Sequence, residues 1–434
     1  MAGGPTKGWR MRDGRARARR RKPAPIGPPA LGAGLITGAA DDDPSGIATY
    51  SQAGAQFGYA MLWTMPLTLP LMVAIQLVSA RIGCVTRRGL AANIKRDFPP
   101  IVLWAVVGLL LTANTLNLAA DIAAMAQAVH LVAGGPVGLY AAGFGALSLT
   151  LQVYMRYQAY VRWLKWLTLA LLAYVAVAFT VEVDWPALIR ETALPGLALG
   201  HDALLMIVAV FGTTISPYLF FWQAALEMES GHDGRPRSGA GLRAQLRRIR
   251  ADTLVGMTFS NLIGFFIILA TAATLHADGG AAIQTSAQAA EALRPLAGDF
   301  CFALFCLGIV GTGLLAVPVL AGSAAYAVAE ATGWPGSLDA RLDKGEGAAF
   351  YAIIGAATMG GVALCFTPLD PVAELFWAAV CNGVIALPIM SVMMLLASRP
   401  KVMGAHVIGP CLRLAGWSAT GVMALVVVAM LATL

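Results

Sequence analysis

Apolar residues run through this chain in long blocks, separated by short stretches rich in Gly, Pro and charge. Blocks such as 101–132 and 161–181 hold about 20 or more residues, enough for a helix to cross roughly 30 Å of hydrocarbon. Reading blocks against loops predicts eleven membrane spans, at about 31–57, 60–84, 101–130, 137–153, 162–181, 201–228, 251–275, 298–327, 347–367, 371–398 and 408–433. The fold class is therefore all-α and polytopic.

Composition agrees with the pattern. The chain has 434 residues, 58% hydrophobic and only 12% charged, against about 25% charged in a soluble chain. A disordered chain, a soluble enzyme and a secreted disulfide scaffold are poor fits. The six cysteines lie in apolar stretches with no C-x-x-C pair, so they read as buried side chains.

The charges that remain are placed asymmetrically. Residues 1–22 hold nine basic side chains against Asp13 alone, so 1–29 reads as a disordered basic tail, retained rather than cleaved as a signal peptide. With the tail in the cytoplasm, only Arg190 and Arg294 of the 30 Lys and Arg residues fall outside, as the positive-inside rule asks. The net charge of +7 then belongs to cytoplasmic loops beside a lipid bilayer and calls for no nucleic acid. The lack of N-x-S/T sequons and the Ala- and Arg-rich composition suggest a bacterial cytoplasmic membrane. No obligate protein partner and no cofactor are evident.

Two spans are interrupted in corresponding places. Span 1 carries Asp41, Asp42, Asp43, Pro44 and Gly46 in its middle; span 6 carries Gly-Thr-Thr-Ile-Ser-Pro, ending at Pro217. They open two five-span halves, 30–181 and 201–398, which start on opposite sides, so the halves read as an inverted 5+5 repeat, with 408–434 as an eleventh span outside it. Paired interruptions of this kind mark a midplane binding site in a secondary transporter.

The interruption in span 1 is also where the chemistry is concentrated. One ionised side chain at the midplane costs about 2.5 to 3.5 kcal/mol on the insertion scale, and no Lys or Arg lies between Leu31 and Ala80 to offset it. A cation is the economical partner. Pro44, Gly46 and Pro217 let the helices unwind and free carbonyl oxygens, so one carboxylate plus several carbonyls can hold a hard cation. The rival reading is a proline kink with aspartates wetted in a vestibule; it weighs more for Asp41 and Asp42 than for Asp43, because three adjacent side chains cannot all face one ion.

DPSGIATYSQAGAQFGY, beginning at Asp43, resembles the Asp-Pro-Gly-Asn segment and the Gln-Ala-Gly-Ala-Gln-Phe-Gly-Tyr run of the natural-resistance-associated macrophage protein (Nramp) family of divalent-metal transporters. TTISPYLFFWQ, from Thr213, lies where that family has Met-Pro-His. The resemblance implies a LeuT-like fold, a metal ligand at Asp43 and a carbonyl ligand at Thr213. The family's Asn is Gly46 here and its ligand methionine is Ser216, which leaves an all-oxygen site with less side-chain bulk. Losing a soft thioether removes a device that selects Mn2+ and Fe2+ over Mg2+. Mg2+ keeps several waters and suits a wide, oxygen-only pocket. The pattern thus looks like the Nramp-related magnesium transporter branch, which implies Mg2+ and Mn2+ as cargo.

The family's proton machinery is depleted by the same comparison. Asp121 matches its acid in span 3, but the acid one turn on is Ala124, and its two span-6 histidines are Tyr218 and Gln223. Proton relays across membranes use chains of Asp, Glu and His, so transport without proton coupling is expected; Asp121 reads slightly better as a structural acid than as a proton acceptor, and Asp42 belongs to the vestibule. Asn382 lies near the family's metal-reaching Gln, and serves either as a ligand or in an interhelical hydrogen bond.

The expected function is import of partly hydrated Mg2+ and Mn2+ by alternating access. Its alternatives are a proton-coupled Mn2+/Fe2+ importer and, from another class, an organic-solute symporter of the same fold. No nucleophile and base pair suggests an enzyme.

Overall fold

The computed structural model describes residues 32–155, 168–194, 196, 200–230, 239–277, 279, 282–337, 347–366 and 370–433. The first apolar block forms two helices. Helix α1 (Ala33–Asp41) stops where Asp42 leaves helical geometry (φ −82°, ψ 57°), and the extended Asp43 (φ −78°, ψ 171°) caps α2 (Pro44–Phe57). Proline fits that first helical position because it has no N–H to leave unsatisfied and its φ is already helical. The basic tail expected over 1–29 lies outside the described residues.

Helices α3 (Thr64–Thr86), α4 (Leu90–Asp97), α5 (Pro100–Ala133) and α6 (Val137–Tyr154) follow. Next come the short α7 (Leu172–Val177) and α8 (Trp185–Ala193). The second interruption divides α9 (His201–Thr214) from α10 (Pro217–Glu229), with Ile215 and Ser216 non-helical between them. The chain continues through α11 (Gly239–Thr271), α12 (Ser286–Glu291), α13 (Cys301–Thr332), α14 (Ala348–Leu364), α15 (Pro371–Ala397) and α16 (Pro410–Leu431).

Among the described residues, eight helices are long and apolar enough to cross a membrane, counting α9 and α10 together as one. α14 is apolar but only 17 residues long. α1 and α2 fall short singly because of their break, and the block expected at 162–181 is described only from residue 168.

Glycine sets how closely the helices approach. In lipid no apolar driving force pulls helices together, so small residues that let backbones touch decide the packing. α1 lies on α11 along such a seam: a Cβ on Gly38 would sit 2.4 Å from the Gly256 carbonyl carbon, and one on Gly256 would sit 2.3 Å from the Gly34 carbonyl oxygen. α9 meets α15 in the same way, with Gly212 against Ala379 and Gly383. α5 runs between α13 and α15. Large apolar side chains such as Leu139, Leu425 and Val428 stay exposed on α6 and α16, as a lipid-facing surface requires.

Candidate functional site

Asp43 stands at the first interruption, 2% exposed. As the cap of α2 its Oδ1 accepts the Gly46 N–H at 2.7 Å, an amide the helix itself leaves unpaired. Its Oδ2 lies 3.2 Å from the Tyr218 hydroxyl of α10, which is also 3.1 Å from the Ala40 carbonyl at the end of α1. One phenolic proton serves two acceptors there. Ser45 Oγ donates to the Leu375 carbonyl (3.1 Å), tying α2 to α15. No Lys or Arg pairs with Asp43 among the described residues.

The second interruption brings neutral oxygens to the first. A Cβ on Gly46 would lie 3.2 Å from Thr213 Oγ1 and 3.5 Å from Asp43 Oδ1, so the Thr213 hydroxyl sits beside the carboxylate with only glycine between. That hydroxyl is buried and has no hydrogen-bond partner. The wide space expected from the loss of bulk at Gly46 is therefore partly filled, by Thr213. Ser216 Oγ donates to the freed carbonyls of Gly212 (3.0 Å) and Thr213 (2.8 Å). The Thr213 carbonyl, expected as a free ligand, is capped here by Ser216; the lone pairs of Ser216 Oγ and the hydroxyl of Thr213 are the uncommitted oxygens.

Asp42 is not wetted in a vestibule. It is 3% exposed, Asp41 is 0% exposed, and one hydroxyl serves both: Ser260 Oγ of α11 lies 2.6 Å from Asp41 Oδ2 and 2.9 Å from Asp42 Oδ1. A serine has a single proton to give, so the two carboxyl groups share one donor. Sequence reading missed Ser260. Its signal was the spacing Gly256, Ser260, Gly264 on α11, which matches Gly34, Gly38, Asp42 along α1.

The remaining candidates are spread around this centre. Asn382 is in a reciprocal amide pair with Asn117 of α5, at 3.0 and 3.2 Å, so its amide oxygen is taken by an interhelical hydrogen bond rather than turned to Asp43. Gln223 donates to Thr253 Oγ1 of α11 (2.8 Å) and its own amide oxygen is unpartnered. Asp121 is fully buried, its carboxylate oxygens have no close hydrogen-bond partner, and the Asp43 charge and the Ser45 backbone amide act on it. Among the described residues no three His, Cys, Asp or Glu side chains form a ready ligand cluster. What the site offers is one carboxylate with neutral oxygens around it.

Known proteins resemble this chain in sequence and in fold. The Nramp family model, described as natural resistance-associated macrophage protein-like, matches residues 34–433. The divalent metal cation transporter MntH of Yersinia enterocolitica is 30% identical over 294 residues, covering 65% of this chain and 68% of that one. MntH of Aeromonas hydrophila is 28% identical over 292 residues, covering 65% and 69%. The crystal structure of the Eremococcus coleocola manganese transporter superposes with a TM-score of 0.72 at 15% identity, over 92% of this chain and 85% of that one. Mhp1, a nucleobase-cation-symport-1 family transporter, gives 0.57 at 12% identity over 93% and 92%. The fold is the LeuT-like helical membrane fold of these transporters, the named relatives being transporters and not enzymes, and the chain belongs to the natural-resistance-associated macrophage protein family.

Proposed function

We propose that the protein moves a divalent metal cation across a membrane by alternating access, with Asp43 as the charged ligand. The observation that carries this reading is a buried carboxylate, set in a helix break with no basic partner among the described residues, near the unpartnered Thr213 hydroxyl. An arriving cation would turn the Tyr218 and Ser216 protons away and gain the carbonyls of Ala40, Gly212 and Thr213. A cleft of about 370 Å3, lined by Ala48 and Gln52 of α2 with Gln284, Asp370 and Trp377, supports an entry path along α2.

The names of the relatives, divalent metal cation transporter and manganese transporter, favour Mn2+ as cargo. A second reading, partly hydrated Mg2+ with Mn2+ tolerated, is favoured by the oxygen donors at Gly46, Thr213 and Ser216, where no sulfur is left to discriminate against hard ions. Ala124, Tyr218 and Gln223 support transport without proton coupling, whereas the unpartnered oxygens of Asp121 support that residue as a lone proton carrier. The same proposal includes eleven spans, the inverted pairing of 30–181 with 201–398, the eleventh span at 408–434, and a cytoplasmic tail in a bacterial inner membrane.

Uptake into proteoliposomes loaded with a pH dye tests cargo and coupling together. Mn2+ uptake that resists excess Mg2+ supports the first cargo; uptake suppressed by Mg2+ supports the second. Acidification of the lumen that disappears in Asp121→Asn assigns the proton to Asp121. Failure of both metals to enter overturns the proposal.

A further inference from the structure

Away from the site, α3, α11 and the start of α16 enclose an open cleft of about 740 Å3. Its walls are apolar, including Leu69, Val73, Leu77, Leu246, Leu254 and Leu412, and Pro70 inside α3 adds to them. Two guanidinium groups, Arg81 and Arg250, stand among these side chains. Arg81 is held in place by neutral groups, with Nε donating to the His406 carbonyl (3.0 Å) and Nη2 to the Val407 carbonyl (3.2 Å). The ion pairs among the described residues engage Arg190, Arg248 and Arg294, and neither Arg81 nor Arg250. The acids closest in sequence on α11 are already committed, since Asp252 pairs with Arg248, as does Glu227 of α10.

The cleft therefore joins two unneutralised guanidiniums to a long apolar trough. From Arg81 back to Leu69 along α3 is twelve residues, about 18 Å at 1.5 Å per residue, close to the roughly 15 Å depth of one hydrocarbon leaflet. The charged end lies with Arg87, Arg88, Arg243, Arg247 and Arg413, the end that the positive-inside rule assigns to the cytoplasm. Guanidinium forks match phosphate oxygens, and they do so most strongly where little water competes.

We propose that this cleft holds one anionic phospholipid of the cytoplasmic leaflet, its phosphate on Arg81 and Arg250 and an acyl chain along α3 and α11. Such a lipid joins α16 to α11, the helix that also carries Ser260 and the glycine seam with α1. The basic tail at 1–22 does not suit the cleft, because its charge has the same sign as the two arginines.

Native mass spectrometry of the full-length protein in detergent, titrated with phosphatidylglycerol and with phosphatidylcholine of the same acyl chains, reads this binding without any transport step. Phosphatidylglycerol is expected to be retained on the order of tenfold more strongly, and Arg81→Gln with Arg250→Gln to remove that preference. Because Arg81 also anchors the backbone at 406–407, two variants avoid it. Arg250→Gln alone should cut phosphatidylglycerol retention about fivefold and leave phosphatidylcholine unchanged, and Ala415→Trp, which fills the trough, should cut both lipids. Equal retention of the two lipids by the wild-type protein overturns the proposal. So does undiminished phosphatidylglycerol in both Arg250→Gln and Ala415→Trp, or its displacement by inorganic phosphate, which would mark a site for a free anion.

Discussion

The two helix breaks do the same geometric work with opposite chemistry. Between α1 and α2 the chain places three adjacent aspartates, and their hydrogen bonds come mostly from elsewhere: Ser260 of α11 for Asp41 and Asp42, Tyr218 of α10 for Asp43. Between α9 and α10 there is no charge, and the hydroxyls cap their own strand of backbone, Thr214 to the Val210 carbonyl and Ser216 to those of Gly212 and Thr213. The first break supplies negative charge that neighbouring helices must hold. The second supplies neutral oxygens that hold themselves. Their helix ends add to the contrast, because freed carbonyls at the ends of α1 and α9 favour a cation, while the amide ends of α2 and α10 steady the carboxylate.

If the charge resides in the first break alone, removing it should have the largest effect. Asp43→Ala is expected to lower metal uptake by more than about a hundredfold, beyond the loss typical of a group that only orients a ligand. Thr213→Val, which removes a neutral oxygen from the other break, should reduce uptake by about tenfold, the low end of the roughly 10- to 100-fold loss in metal affinity when supporting groups are removed. Initial rates in proteoliposomes compare the two; equal losses would mean that the breaks share the charge between them.

The borrowed hydrogen bonds give the next test. Ser260→Ala leaves two buried carboxyl groups without their donor and is expected to cost about 1 to 3 kcal/mol of stability. Thr214→Val removes a hydroxyl that donates to the Val210 carbonyl of its own helix and should cost about 0.5 kcal/mol, since back-bonding of this kind adds little to a helix. Thermal unfolding in detergent, with Ser260→Thr as the variant that keeps the hydroxyl, separates them. Should Ser260→Ala unfold with the wild-type protein, the aspartates of the first break do not depend on α11.

Much of this was legible in the sequence, for reasons peculiar to membranes. Hydrocarbon tolerates no irregular lipid-exposed backbone, so long apolar runs give the helices and Asp-Pro-x-Gly inside one gives its break. The paired interruptions pointed to a midplane centre, and the resemblance to the family pointed to Asp43, Gly46, Thr213 and Ser216 within it. Tertiary pairings were not legible. Nothing local in α11 marks Ser260 as anything but a serine in an apolar helix; only the glycine spacing it shares with α1 hints that it meets Asp41 and Asp42. The vestibule expected for Asp42 failed for the same reason, because acidic character in a loop between helices does not reveal which neighbour covers it. The open pocket inferred from Gly46 overlooked the Thr213 hydroxyl, which lies against that glycine.

Selectivity sharpens the comparison from the side of the second break. Ser216→Met restores a thioether beside Asp43 and removes the hydroxyl that caps Gly212 and Thr213. The variant should raise the preference for Mn2+ and Cd2+ over Mg2+ on the order of tenfold, about 1.4 kcal/mol, because soft sulfur favours the softer ions. Competition of each metal against Mn2+ uptake measures it. An unchanged order would place position 216 outside the ion's coordination sphere.

The smallest effect concerns Asn382, whose amide could in principle belong to either break. Its oxygen accepts from Asn117 at 3.0 Å and its nitrogen donates back at 3.2 Å, joining α15 to α5 at a point where both side chains are 1% exposed or less. An interhelical bond of this kind is worth about 0.6 kcal/mol on average in a membrane protein. A double-mutant cycle of Asn117→Ala and Asn382→Ala should return a coupling of about that size in stability, with each single variant leaving Mn2+ affinity unchanged. If instead Asn382→Ala weakens Mn2+ binding while Asn117→Ala does not, the amide turns from α5 to the ion during transport. The charge of the first break would then be completed by α15 as well as by α9 and α10.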